Sequence, residues 1–147
     1  MIGQISIKTK LGWISAYEEK GKITRIKFGK YKKNILTENL KKFKSNLNGY
    51  LTEKKNINCK IFLKGNSIQK IIWKELRKIK FGKTKSYGEI ARKHKLSPRH
   101  VGKICGQNKI LLVIPCHRVI RSNKTLGGFS SIGGVALKKK ILDFEKN

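Results

Sequence analysis

One tripeptide in the C-terminal half places a thiol, an imidazole and a guanidinium in consecutive residues, Cys116-His117-Arg118. It follows Pro115 and lies between two apolar runs, so we expect a short buried strand that ends at the proline. A thiol becomes nucleophilic when a base or a positive charge stabilises its thiolate, and His117 and Arg118 supply one of each. The tripeptide therefore predicts nucleophilic chemistry at Cys116.

The proton of Cys116 needs an acceptor, and His117 is the nearest candidate. Neighbouring side chains on a strand point to opposite faces, so we expect a bridging water to carry the proton between them. An imidazole in this role needs a carboxylate that fixes its tautomer and stabilises its charged form. The C-terminal half contains four carboxylates: Glu75, Glu89, Asp143 and Glu145. Glu145 ends a predicted helix, where the helix dipole disfavours a negative charge, so it is either the partner of His117 or a solvated surface acid.

The N-terminal half has the alternating pattern of a small antiparallel sheet. We predict strands within residues 5–28 and a turn at 19–22, followed by an amphipathic helix that stops near Gly49. One apolar stripe of that helix consists of Leu36, Leu40, Phe43 and Leu47. A further strand is expected at 57–63, and the pattern breaks at 64–67. We therefore place a domain boundary near residue 64, between domains 1–63 and 64–147.

Four helices follow from local patterns in the second domain. The first has an apolar face made of Ile68, Ile71, Ile72, Leu76 and Ile79. Ser86 and Glu89 form a capping box that starts a second helix, and Ser97-Pro98 is an N-cap followed by proline at the first helical position. Two short capped helices joined by a tight turn predict a helix-turn-helix. Leu137, Ile141 and Phe144 define the last helix.

Composition narrows the class of protein. The 147 residues carry 36 Lys and Arg against 8 Asp and Glu, a net charge of +28, interleaved with 38% hydrophobic residues. This pattern favours a folded, nucleic-acid-binding protein over a disordered polycation, although a lysine-rich genome composition also accounts for such a charge. We expect Cys59 and Cys105 to be inert, because a cysteine buried in apolar surroundings behaves as a small hydrophobic side chain. We expect a reducing compartment, no export segment and no membrane span.

Several motifs together resemble one known family. The sequence 115–119, Pro-Cys-His-Arg-Val, is similar to the active-site signature of the O6-alkylguanine-DNA alkyltransferases. Segments 81–91, 97–99, 101–102 and 127–130, together with Asn108, match that family in order and spacing, and the resemblance extends from Ser67 to Glu145. It implies an α+β fold with a small N-terminal antiparallel sheet and a helix, resembling ribonuclease H. A mostly helical, winged-helix-like domain containing the helix-turn-helix would follow.

The resemblance also assigns roles in a single-turnover transfer. Cys116 would attack the alkyl carbon on O6 of guanine, with O4 of thymine as a second candidate position, and keep the group as a thioether. His117 would be the base acting through a water, and Glu145 would orient it. Asn108 would be the buried asparagine near the site. Tyr87 would help to rotate the target nucleotide and would donate to the purine.

The same resemblance implies duplex DNA as the partner, entered from the minor groove, with the damaged base flipped out of the stack. Arg99 would fill the gap, and other DNA contacts would come from Ser97, His100, Gly102, Lys103 and Arg118. The base pocket would contain Val119, Phe129 and Ser130, with Phe129 standing where some members have a tyrosine. We expect a monomer in the cytoplasm, associated with the nucleoid, with neither cofactor nor metal.

Two other functions are compatible with a reactive cysteine. A helix-turn-helix module could use Cys116 to sense or mark alkylation damage without repairing it. A papain-like hydrolase would take its cysteine and histidine from distant segments, a layout that this chain does not supply.

Overall fold

Three antiparallel strands form the N-terminal sheet, in the order β1 (Ile2–Thr9), β2 (Gly12–Glu19) and β3 (Lys22–Phe28). The computed structural model describes residues 2–30 and 34–146. Lys20 and Gly21, between β2 and β3, have φ of 51° and 80°. Positive φ at both central residues is the geometry of a two-residue hairpin. The turn expected at 19–22 is confirmed.

Helix α1 (Glu38–Glu53) begins at the Thr37 cap, whose hydroxyl accepts from the Leu40 N–H at 3.2 Å. Its buried residues are Leu40, Phe43, Leu47 and Tyr50. Two predictions were wrong: Leu36 precedes the helix and is exposed, and the helix continues past Gly49. Burial of Tyr50 in the next turn stabilises the longer helix by more than the glycine destabilises it.

The predicted domains are corrected at one segment. The structure divides the chain between Leu63 and Lys64, but Lys109–Val113 belongs to the first unit. The Ile26 N–H donates to the Lys109 carbonyl at 3.0 Å, and the Leu111 N–H donates to the Ile26 carbonyl at 3.3 Å. This short apolar segment therefore completes hydrogen bonds along β3, a long-range pairing that local patterns do not reveal. The strand expected at 57–63 is likewise reduced to a single bridge between Ile61 and Ile23.

The second unit is mostly helical, as predicted. Its helices are α2 (Ser67–Leu76), α3 (Tyr87–His94), α4 (Pro98–Gly106) and α5 (Gly134–Lys146). Two short strands, β4 (Lys85–Ser86) and β5 (Val119–Ile120), pair in parallel. A single 3-10 turn, Cys116–Arg118, precedes β5. The α+β fold class is confirmed.

The buried face of α2 differs from the one predicted. Ile72, Trp73 and Leu76 are buried, whereas Ile68 and Ile71 are about half exposed. The Trp73 indole N–H donates to the Ile104 carbonyl at 3.1 Å. The large indole therefore turns the helix toward α4 and displaces the two isoleucines from the core. Within the part of the chain that the structure describes, no helix is long and apolar enough to cross a membrane.

Candidate functional site

The helix-turn-helix forms as the caps predict. The Ser86 hydroxyl accepts from the Glu89 N–H at 3.0 Å, and the Ser86 N–H donates to the Glu89 carboxylate at 3.2 Å. Helix α3 ends at Lys95 in the left-handed conformation. The Ser97 hydroxyl then caps α4 by accepting from the His100 N–H at 3.1 Å, with Pro98 in the first turn. The two helices pack against each other and hold one wall of a cavity.

A cavity of about 550 Å³ lies beside α4. The predicted site residues that line it are Tyr87, Arg99, Gly102, Cys116, Phe129 and Ser130. Cys105 and Gly127 line it as well. Ser97, His100 and Lys103 are outside this lining and exposed on or next to α4, where a macromolecular partner can reach them. The structure therefore brings the predicted nucleophile and half of the predicted binding residues to one cavity.

Cys116 is held in the 3-10 turn rather than at the end of a buried strand. Leu112, in the run before it, has a φ of 69°, and the Cys116 N–H donates to the Ile114 carbonyl at 2.8 Å. This irregular backbone corrects the predicted strand. The Asn108 amide donates to the Ile114 carbonyl at 2.9 Å and to the Cys116 sulfur at 3.3 Å. Asn108 therefore fixes both the turn and the thiol.

The Cys116 thiol is neutral at rest. Burial raises its pKa, and the Asn108 hydrogen bond and the positive charge of Lys138 oppose that rise without reversing it. Because a buried neutral thiol is a poor nucleophile, the site needs a base to take its proton.

His117 and Glu145 form a buried pair. Their Nε2 and Oε2 atoms are 2.8 Å apart, and each side chain is 1% exposed. Burial opposes ionisation of Glu145, but hydrogen bonds from His117 and Arg118 outweigh it and lower the pKa of Glu145 to about 2. An ionised carboxylate can only accept, so Nε2 carries the proton and Nδ1 is left as the basic nitrogen. Burial also lowers the pKa of His117, which makes it a neutral base.

Arg118 was predicted to contact DNA, and this prediction was wrong. Its side chain is buried and forms an ion pair with Glu145, with Nε 2.8 Å from Oε1. The 3-10 turn directs it inward instead of onto the surface. The prediction that Val119 lines the base pocket was also wrong, because its side chain is fully buried in β5 and lies outside the cavity lining. Its carbonyl accepts a hydrogen bond from Lys138.

Lys138 is a site residue that sequence analysis missed. Its fully buried ammonium donates to the carbonyls of Val119 at 2.7 Å, Leu126 at 2.6 Å and Gly128 at 3.1 Å, and to the Tyr87 hydroxyl at 3.3 Å. Burial lowers its pKa to about 8. The only sequence signal is a lysine next to Leu137 on the apolar side of α5, which the many other lysines conceal.

Tyr87 stands over the cavity with its position determined by close contacts. Its hydroxyl accepts from Lys138, and burial raises its pKa to about 12. Gly127 has a φ of 75°, and a Cβ there would lie 3.0 Å from the Tyr87 ring. The glycine thus lets the loop at 126–130 pass against the aromatic ring, and a phenol remains available as a donor.

Comparisons with known proteins agree with this geometry. A family model described as the DNA-binding domain of 6-O-methylguanine DNA methyltransferase matches residues 67–147. The methylated-DNA–protein-cysteine methyltransferase of Metallosphaera sedula is 37% identical over 151 residues, covering 99% of this chain and 94% of that protein. The protein of the same name from Sulfolobus acidocaldarius is 48% identical over 80 residues, 54% of this chain and 50% of that protein.

The fold has a close counterpart as well. The crystal structure of Mycobacterium tuberculosis OGT in complex with DNA superimposes with a TM-score of 0.86 at 27% identity, covering 97% of this chain and 92% of that chain. The Sulfolobus alignment spans only half of its relative, but the Metallosphaera alignment spans both proteins almost entirely. Because the family model also matches more than half of the sequence, the chain belongs to the 6-O-methylguanine DNA methyltransferase family.

Proposed function

We propose that this protein repairs DNA by transferring an alkyl group from O6 of guanine to its own Cys116, once per molecule. The observation that carries the proposal is a buried thiol lining a 550 Å³ cavity, beside a neutral histidine paired with a buried carboxylate. That volume lies in the range of cavities that hold small ligands, as a flipped-out purine requires. Names and structures of the relatives support the same chemistry.

The transfer begins with the proton of Cys116. His117 takes it through a water at Nδ1, while Glu145 holds the opposite nitrogen and stabilises the imidazolium that forms. The thiolate attacks the alkyl carbon, a carbon–sulfur bond forms, and the bond from carbon to O6 breaks. The electron pair of that bond goes to O6, and the purine takes up a proton that balances the one held by His117. No acceptor removes the alkyl group afterwards, so the cysteine is consumed.

DNA enters, in this proposal, from the side of α4. A base inside a duplex cannot present O6 to a buried thiol, so the nucleotide must rotate out at a cost of a few kcal/mol. Arg99, at the start of α4 and on the rim of the cavity, would occupy the vacated space. Gly102 leaves room for close approach to the minor groove, and exposed His100 and Lys103 would neutralise phosphates. We expect a monomer to suffice, because the cavity is complete within one unit.

A module that only senses damage is less well supported. Such a sensor needs an accessible thiolate, whereas Cys116 is 4% exposed and its pKa is raised. The His117–Glu145 pair, which a sensor does not need, is by contrast fully formed.

Mass spectrometry of the intact protein tests the proposal. After incubation with an oligonucleotide duplex carrying O6-methylguanine, the wild type should gain one methylene on Cys116, in a stoichiometric and irreversible reaction. Cys116→Ala should gain nothing, and the matched control Cys105→Ala, which removes the other thiol of the cavity, should still be alkylated. Tight binding of the wild type to the duplex without any mass gain would refute transfer.

A further inference from the structure

Arg118 directly follows His117 in the chain, and the proposed transfer mechanism gives the contacts of Arg118 no role. Its guanidinium makes a two-point contact with Glu145, with Nε 2.8 Å from Oε1 and Nη2 3.0 Å from Oε2. Nη1 donates to the Ile79 carbonyl at 2.7 Å, and the guanidinium carbon lies 5.8 Å from the centre of the Phe81 ring. The planar guanidinium fork is thus held on two sides, by Glu145 on α5 and by the Ile79 carbonyl in the segment that follows α2.

One oxygen of Glu145 connects Arg118 to the proposed base. Oε2 accepts from Arg118 Nη2 at 3.0 Å and from His117 Nε2 at 2.8 Å. Since a planar two-point contact fixes the plane of the carboxylate, it also fixes the direction from which Oε2 meets the imidazole. The guanidinium charge partly cancels the carboxylate charge that His117 experiences. An ion pair that served packing alone would not need to share this oxygen with the imidazole.

The groups that act on His117 come from two elements. Helix α5 contributes Glu145, which favours the protonated imidazole, and Lys138, which disfavours it. The 3-10 turn itself contributes Arg118, which also disfavours it. Helix α2 contacts the same turn, and its buried residues Ile72, Trp73 and Leu76 are not titratable.

We propose that Arg118 is a positioning residue that orients Glu145 and offsets its charge, so that His117 stays a neutral base over the working pH range. This inference rests on the proposed alkyl transfer and assigns a role within it. Without the guanidinium, the full charge of Glu145 would act on His117. The imidazole would then hold its proton at higher pH and could not accept the proton of Cys116.

The test is the single-turnover rate constant for alkyl transfer from an O6-methylguanine duplex, measured between pH 4.5 and 8.5. For Arg118→Met the pH at half-maximal rate should rise by about one unit, the size expected for an uncompensated neighbouring charge. Arg118→Lys, which keeps the charge and loses the fork, should return this midpoint to the wild-type position with a rate reduced by about tenfold. Arg25→Met, at an exposed position on β3, is the matched control and should leave the profile unchanged.

A merely structural role gives a different result. It predicts that Arg118→Met lowers the rate equally at every pH with an unmoved midpoint, and that outcome overturns the proposal. If the pH at half-maximal rate is the same for Arg118→Lys as for Arg118→Met, the proposal is also overturned. If Arg118→Met does not fold, Arg118→Gln, which keeps one amide donor for Glu145 and removes the charge, replaces it in the same comparison.

An NMR titration of the His117 ring in the folded proteins separates this inference from the proposed function. It requires no substrate, and the midpoint should move upward between wild type and the uncharged variant. Absence of transfer by the wild type would refute the proposed function alone, whereas an unmoved ring titration would refute the role of Arg118.

Discussion

Acid should destabilise the second unit most strongly through its buried carboxylate, Glu145. Burial works against its charge, yet the hydrogen bonds from His117 and Arg118 lower its pKa from 4.5 to about 2. In the unfolded chain the Glu145 carboxylate therefore takes up a proton near pH 4.5, whereas in the folded protein it stays ionised down to about pH 2. The stabilisation by the carboxylate is complete above pH 4.5 and is lost progressively as the pH falls toward 2.

The magnitude follows from the size of the shift. One pKa unit corresponds to about 1.4 kcal/mol, so the whole shift of Glu145 contributes about 3 kcal/mol to the free energy of unfolding. Glu145→Gln removes this titration. The difference in unfolding free energy between wild type and this variant should therefore shrink by about 2 kcal/mol between pH 5 and pH 3.

Urea unfolding followed by tryptophan fluorescence measures this difference. Substituting Trp13, which lies in the N-terminal sheet, with phenylalanine leaves the buried Trp73 of α2 as the reporter of the second unit. Asp143→Asn is the matched control, because Asp143 lies on the same helix, is half exposed and pairs only across the surface with Lys139. It should follow the wild type. A difference between wild type and Glu145→Gln that stays constant from pH 5 to pH 3 would refute the argument.

Three further substitutions have defined outcomes. Gly127→Ala should cost at least 1 kcal/mol and slow alkyl transfer, because φ is 75° and the new Cβ would displace the Tyr87 ring; an unchanged melting temperature would contradict this. Lys138→Met should leave three carbonyls without their donor and lower the free energy of unfolding by about 3 kcal/mol. Amide exchange at residues 126–128 should become faster, and unaltered exchange would contradict this. Ser86→Ala should cost about 1 kcal/mol in urea unfolding through loss of the α3 cap, whereas a neutral result would mean that the capping box is not needed.

Local signals in the sequence determined how much of the site was predictable. Both helix caps of the helix-turn-helix depend on residues three positions apart, so they could be identified without tertiary structure. Cys116 and His117 are adjacent, and the scarcity of carboxylates reduced the partners of His117 to four, among which the structure places Glu145 at 2.8 Å. The catalytic roles of these residues remain predictions that the experiments above address.

Long-range geometry decided the rest. The resemblance placed Arg118 among the DNA contacts, and only the 3-10 turn reveals that its side chain points inward. Lys138 could not be singled out among 36 basic residues, since its burial depends on carbonyls 10 and 19 positions away. The exposed Ile68 and Ile71 show the same limit, because the choice of buried face was made by Trp73.

The segment Lys109–Val113 has a practical consequence for dissecting the protein. It leaves the second unit directly after Asn108 and returns to it at Ile114, and between them it hydrogen-bonds to β3. A fragment expressed from residue 64 onward would retain these five residues without their partner strand and would expose Ile110 and Leu111 to water. Both ends of that loop contact Cys116: the Asn108 amide donates to its sulfur, and the Ile114 carbonyl accepts from its backbone N–H. The two units are thus not consecutive pieces of chain, so we expect a truncated protein to aggregate before it reports on chemistry.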